Sequence, residues 1–167
     1  DYIELDPVFT DIILPILSEE DISAVNDARV RVFHMDGSRY VKDTLSTYDL
    51  IIIDTPDPST AQLNRFYTVD FFHEIKKIFS ENGMLIVGMS STANYMSRET
   101  ADYNSSLYSG LTRIFPFVMP VPGDRNYFFA GIHENLFSHD HKVIAGRYKD
   151  RGISSEHFAP EIFEWLL

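Results

Sequence analysis

Cysteine is absent from the 167 residues, which excludes disulfide bonds, thiolate metal centres and a cysteine nucleophile. Basic residues are scarce: 14 Lys plus Arg stand against 25 Asp plus Glu, a formal net charge of −11. A surface of that sign repels phosphate backbones, so nucleic acid is excluded and neutral or cationic partners are favoured. Long apolar runs are also missing. None approaches the roughly 20 residues that span a bilayer, and no signal-peptide pattern is found. The six histidines show no metal-ligand spacing, and His139-Asp140-His141 reads as a solvated loop. What is present, 44% hydrophobic and 14% aromatic residues, suffices for a packed core. The expectation is one soluble, cytoplasmic domain over residues 1–167.

Two short β-branched runs are followed by acidic loops. Val30 to Met35 leads into Asp36-Gly37, and Tyr48 to Ile53 leads into Asp54-Thr55-Pro56-Asp57-Pro58. Runs of this kind between helical patterns read as buried parallel strands. Ligands of open α/β sheets bind beyond the carboxyl ends of such strands, so these carboxylates are candidates for binding or catalysis. Asp36 could instead close a turn with Gly37, and Asp57 could form a turn pair with Pro58.

Asp1 to Leu5 reads as the end of a strand. Asp6-Pro7 reads as an N-cap and first helical residue, opening a helix to about Leu17 that Pro15 bends or ends. Ser18 to Arg29 is polar, and Ser38 to Leu45 reads as a short helix. Thr68 caps a helix with Val69, Phe72, Ile75, Ile78 and Phe79 on one face, stopped by Asn82-Gly83. Met84 to Met89 is a strand, Ser90 to Asn94 a loop, and Met96 to Phe115 a helix. Phe117 to Val121 and Tyr127 to His133 read as a hairpin, followed by a polar, then amphipathic tail. Strand–helix alternation with a closing hairpin implies a mostly parallel three-layer α/β sheet. The closing antiparallel hairpin resembles the Rossmann-like S-adenosylmethionine-dependent methyltransferase fold.

The motifs Tyr2-Ile3-Glu4-Leu5-Asp6-Pro7, Asp27-Ala28-Arg29-Val30 with Asp36-Gly37, and Tyr48-Asp49 through Asp57-Pro58 resemble the spermidine synthase family. Phe66-Tyr67-Thr68, Phe71-Phe72 and Asn82-Gly83-Met84-Leu85 continue the likeness in order. The resemblance implies aminopropyl transfer from decarboxylated S-adenosylmethionine to a di- or polyamine. It places Glu4 on the ribose hydroxyls and Asp36 with Gly37 at the adenine amino group. Asp54 falls to the general base or orienter of the attacking amine, and Asp57, with Tyr67, to the amine substrate. The partners implied are a nucleoside donor and an amine acceptor, with no tightly bound cofactor. Intact S-adenosylmethionine as co-substrate of a small-molecule methyltransferase is an alternative, and a non-catalytic binding or assembly domain is another.

The family's first strand and Gly-rich loop should precede Glu4, with that strand at the sheet centre between those ending at Glu4 and Ile53. Both are missing from this sequence. The hairpin turn lacks the family's tyrosine and glutamine, and Ser59 to Arg65 is longer than the usual turn. That longer form resembles a divergent, often membrane-fused branch, for which a membrane-associated parent protein and a homodimer are both open. Arg65 and Arg125 add positive charge near a pocket that should welcome polyamines, which leaves the acceptor open.

Overall fold

The computed structural model describes residues 1–91, 97–155 and 158–166. Four strands run parallel or antiparallel in one sheet, ordered β3-β4-β6-β5: Tyr48–Ile53 (β3), Phe79–Ser90 (β4), Phe117–Val121 (β5) and Arg125–Gly131 (β6). β3 pairs parallel to β4, and the β5–β6 hairpin closes antiparallel on β4. Tyr2–Glu4 (β1) and Val32–His34 (β2) form a separate parallel pair. Among the described residues no ladder joins the two sheets. The break lies between β1 and β3, where the resemblance puts a further strand. Leu50 and Ile52 of β3 are consequently 46% and 60% exposed. At the opposite end the Asp1 carboxylate links the two sheets. It accepts a forked pair from Arg31 at 2.6 and 2.8 Å and bonds from the hydroxyls of Tyr48, at 2.6 Å, and Tyr40.

The helices follow their caps. Asp6 accepts from the Val8 N–H and starts Pro7–Ile13 (α1); Pro15 then tightens the chain into a 3-10 turn over Leu14–Ile16. The polar stretch after it contains a helix that its lack of apolar periodicity concealed: Glu19–Val25 (α2), capped by Ser18. Asp36 caps Gly37–Asp43 (α3), Thr60 caps the short Ala61–Asn64 (α4), and Thr68 caps Val69–Lys77 (α5). Ser97 caps Arg98–Thr112 (α6). The expected Ser90–Asn94 loop and the expected start of α6 at Met96 fall mostly outside the described residues. Asp140 of the histidine-flanked stretch caps His141–Asp150 (α7), and Phe163–Leu166 (α8) follows in the tail.

One boundary differs for a clear reason. α5 ends at Lys77, ahead of Asn82-Gly83, and β4 begins at once with Phe79 opposite Tyr48. The register then jumps from Tyr48↔Phe79 to Leu50↔Met84, so the intervening residues bulge. The Phe79 ring fills the space where a Cβ at position 83 would stand, 2.4 Å away, which only glycine allows. Asn82-Gly83 thus marks a bulge within the strand.

The core lies between β4 and helices α5 and α6. Leu85, Val87 and Met89 alternate inward along β4 and meet Phe72, Ile75, Leu107, Leu111 and Phe115, all 2% exposed or less. Each such side chain contributes about 1.5–3 kcal/mol by leaving water. This packing holds the carboxyl ends of β3 and β4 in place.

Candidate functional site

Glu4 closes β1, Asp36 follows β2, and Asp54 follows β3 directly. The strands within each pair are parallel, so each acid leaves the carboxyl end of its strand, the edge where such sheets bind ligands. Glu4 is half-buried and its carboxylate accepts from the Asp6 N–H at 2.9 Å. Its main-chain carbonyl accepts from Met35 at 3.0 Å, which ties the end of β1 to the loop carrying Asp36. Asp36 has both carboxylate oxygens engaged. One accepts from the Arg39 N–H at 3.0 Å as the α3 cap, and the other pairs with the Arg65 guanidinium. Arg65 in turn lies over the Phe66 ring, 4.8 Å from its centroid, and the same ring faces Gly37.

The loop after β3 is braced from three directions. The Tyr67 hydroxyl donates to the Thr55 carbonyl at 3.0 Å, lies 3.1 Å from the Pro56 carbonyl and accepts from the Thr55 hydroxyl. Burial, followed by the charges of Asp57 and Asp54, raises the Tyr67 phenol above its ordinary range, against the Thr55 hydroxyl and Arg125. Asp57 accepts from the Ser90 N–H at 3.0 Å, pinning the loop to the end of β4. Arg125, at the start of β6, donates to the Thr55 carbonyl at 3.1 Å and stands 3.9 Å from the Asp54 carboxylate. Between these braces the Asp54 side chain is 79% exposed. Asp54, Asp57 and Tyr67 therefore share one loop cluster with Arg125, while Glu4, Asp36 and Gly37 lie on the other strand pair.

Asn104 is the residue that sequence reasoning missed. Only 8% exposed, it donates to the carbonyls of Ser90 at 3.2 Å and Thr100 at 2.8 Å, and accepts from Asn126 at 2.9 Å. It fastens the end of β4 to α6 and β6, behind Asp57. Its signal in the sequence was there: Asn104 shares helical spacing with Leu107 and Leu111, and a polar residue on an apolar stripe calls for partners. The Asp54 edge itself is an open surface. Of the cavities, one of about 360 Å³ lies between the hairpin and α7, lined by residues such as Met84, Phe129 and Tyr148. A second, of about 300 Å³, is at the far ends of α5 and α6.

An acid at the end of each of three strands, with a braced loop around the most exposed one, can read hydroxyl and amine donors of a small molecule. The spermine/spermidine synthase domain matches residues 1–141. The chain belongs to that family. It is 35% identical over 101 residues to a polyamine aminopropyltransferase of Thermoplasma acidophilum, covering 60% of this chain and 35% of the relative. A polyamine aminopropyltransferase of Sulfolobus acidocaldarius is 26% identical over 161 residues, 93% of this chain and 53% of the relative. Among solved structures, a spermidine synthase in complex with the transition state analogue AdoDATO superposes with a TM-score of 0.76 at 17% identity. That match covers 98% of this chain and 56% of the other, and it establishes the Rossmann-like fold. The chain thus spans between about a third and just over half of the length of these relatives. No helix among the described residues is long and apolar enough to cross a membrane.

Proposed function

We propose that residues 1–167 belong to the catalytic domain of an aminopropyltransferase, which moves the aminopropyl group of decarboxylated S-adenosylmethionine to an amine. The observation that carries this reading is the placement of Glu4, Asp36 and Asp54 at the carboxyl ends of three strands of a family-matched fold. The names of the curated relatives and the AdoDATO complex of the structural relative support it. Methyl transfer from intact S-adenosylmethionine is not favoured, since those relatives are named aminopropyltransferases.

Each acid then has a task suited to its surroundings. Glu4 keeps acceptor capacity beyond its one bond to Asp6 and reads the ribose hydroxyls. Asp36, with Gly37 and the Phe66 ring beside it, takes the adenine amino group, sharing an oxygen with Arg65. Asp57 offers its second oxygen to the amine's distal charge. Tyr67 acts on the amine side by holding the Asp54 loop through Thr55 and Pro56. Asp54 is free to turn toward the attacking nitrogen.

The step is a displacement. The neutral amine's lone pair forms a bond to the propyl carbon, the carbon–sulfur bond breaks, and its electron pair neutralises the sulfonium, leaving methylthioadenosine. The new nitrogen carries a positive charge and a surplus proton, which passes to the Asp54 carboxylate and then to water. The test is aminopropyl transfer by the full-length protein and its Asp54→Asn variant, beside a methyl-transfer control. Turnover should fall on the order of 10²–10⁴-fold in the variant, with donor binding little changed. Near wild-type turnover by Asp54→Asn would remove the base, and methyl transfer alone would overturn the reaction class.

A further inference from the structure

A polyamine is cationic along its length, and a site built only for it has no use for an arginine beside the attacking nitrogen. Arg125 stands there all the same, and three features show that it is placed. Its guanidinium is 3.9 Å from the Asp54 carboxylate, near enough to act on the same substrate and too far to be consumed by a hydrogen bond. One donor holds the Thr55 carbonyl at 3.1 Å, which fixes the fork against the Asp54 loop. The side chain crosses Gly88 of β4, where a Cβ would lie 2.5 Å from Nε, so a residue without a side chain on one strand makes room for the arginine on another. Its Nε is buried with no hydrogen-bond partner among the described residues. An orphaned N–H is unfavourable, and a plug for the space above Gly88 would need no polar atom at all. The side chain is still 30% exposed.

A planar fork of N–H donors matches one ligand group best, a carboxylate held by two parallel bonds. We infer that Arg125 is the specificity-determining residue for an acceptor amine that also carries a carboxylate, an amino-acid-type acceptor in place of a simple di- or polyamine. The inference rests on the aminopropyl-transfer reading and names its acceptor class. The bond-forming step is unchanged: the neutral amine end attacks at Asp54 while the carboxylate is held on Arg125. Asp57 and Asp54 remain on the amine side, and Arg125 divides the site into an ammonium end and a carboxylate end.

The experiment uses the full-length protein with decarboxylated S-adenosylmethionine and acceptors in pairs that differ only in the α-carboxylate, putrescine with ornithine and cadaverine with lysine. The carboxylated member should have the higher kcat/KM by about tenfold, one charge-assisted contact's worth of discrimination. Arg125→Gln should abolish that preference chiefly through KM, and Arg125→Lys, which keeps the charge and loses the fork, should restore part of it. A wild-type preference for the diamines would overturn the inference and leave aminopropyl transfer standing. So would an equal loss for both members of a pair, which would make Arg125 a brace for Thr55. Weaker binding of intact S-adenosylmethionine by Arg125→Gln, with acceptor preference unchanged, would overturn it in favour of the donor's carboxylate. Transfer to no amine would instead remove the transfer reading. Calorimetry on protein saturated with methylthioadenosine then decides: lysine bound more tightly than cadaverine, and lost in Arg125→Gln, upholds the carboxylate end, and equal binding ends it.

Discussion

On the proposed reading Asp57 has two tasks, which different substitutions separate. One oxygen accepts from the Ser90 N–H at 3.0 Å and ties the Asp54 loop to the end of β4; the charge is available to an amine. Asparagine keeps the acceptor oxygen and removes the charge, whereas alanine removes both. A charge-assisted bond is worth about 1.5–3 kcal/mol where water is excluded, but Ser90 is exposed, so water can replace a lost partner and the loss in Asp57→Ala should be nearer ~1–1.5 kcal/mol. In a chain of 167 residues, each kcal/mol moves Tm by about 2–4 °C, so Asp57→Ala should melt about 2–6 °C lower. Asp57→Asn should lose ~0.5 kcal/mol, or about 1–2 °C, since a neutral acceptor remains. Turnover should order the variants differently. Both remove the charge, so both should raise the KM for the amine by about tenfold, the equivalent of ~1.4 kcal/mol, with kcat far less affected. Thermal unfolding by circular dichroism and amine-saturation kinetics on the full-length protein supply the two axes. A wild-type KM in Asp57→Asn, beside a raised KM in Asp57→Ala, would show that Asp57 acts only by holding Ser90, and the assignment to the amine would be withdrawn.

If Glu4 reads the ribose as proposed, Glu4→Gln turns one accepting oxygen into a donor, and methylthioadenosine should bind about tenfold more weakly by calorimetry; an unchanged Kd would sink the ribose role. Tyr67 supplies a pH test. Its phenol is raised by burial first, so the folded state holds that proton more tightly than the unfolded one, whose phenol titrates near ~10. The stability it contributes is fully present below the unfolded value and lost as pH rises through the higher folded one. Wild type should therefore exceed Tyr67→Phe in denaturant midpoint at pH 8 and by a smaller margin at pH 11, and an identical margin at both would refute the shift.

How much of this was legible in the sequence depended on whether the deciding interaction was local. β3 was readable end to end because Leu50-Ile51-Ile52-Ile53 is an apolar run stopped by an acidic, proline-rich loop. The caps at Asp6 and Thr68 were readable because a cap is satisfied by N–H groups two or three residues on. Asn82-Gly83 misled because the same pair that ends a helix also serves a bulge, and the choice was made by Phe79 folding back into the space a side chain at position 83 would need. The two-part sheet was invisible to periodicity, since β1 and β3 carry the same apolar signal whether or not a strand lies between them.

The same distinction divides the site. Asp36 and Asp54 could be placed at a ligand edge from strand ends alone, because residues at the carboxyl end of a parallel strand emerge there, whereas Glu4 was placed there by the family resemblance. Arg65 and Arg125 could be placed near the pocket, but not the acid that each meets, because Arg65 reaches Asp36 and Arg125 reaches Asp54 from other elements, as Ser90 reaches Asp57. The charge that a substrate meets is set by those arrivals. With Asp36 engaged by Arg65 and Asp54 faced by Arg125, the edge is less acidic than its carboxylates alone suggest. On the proposed reading the acids at the strand ends serve the reaction, and Arg125, which crosses to them from β6, serves the choice of acceptor.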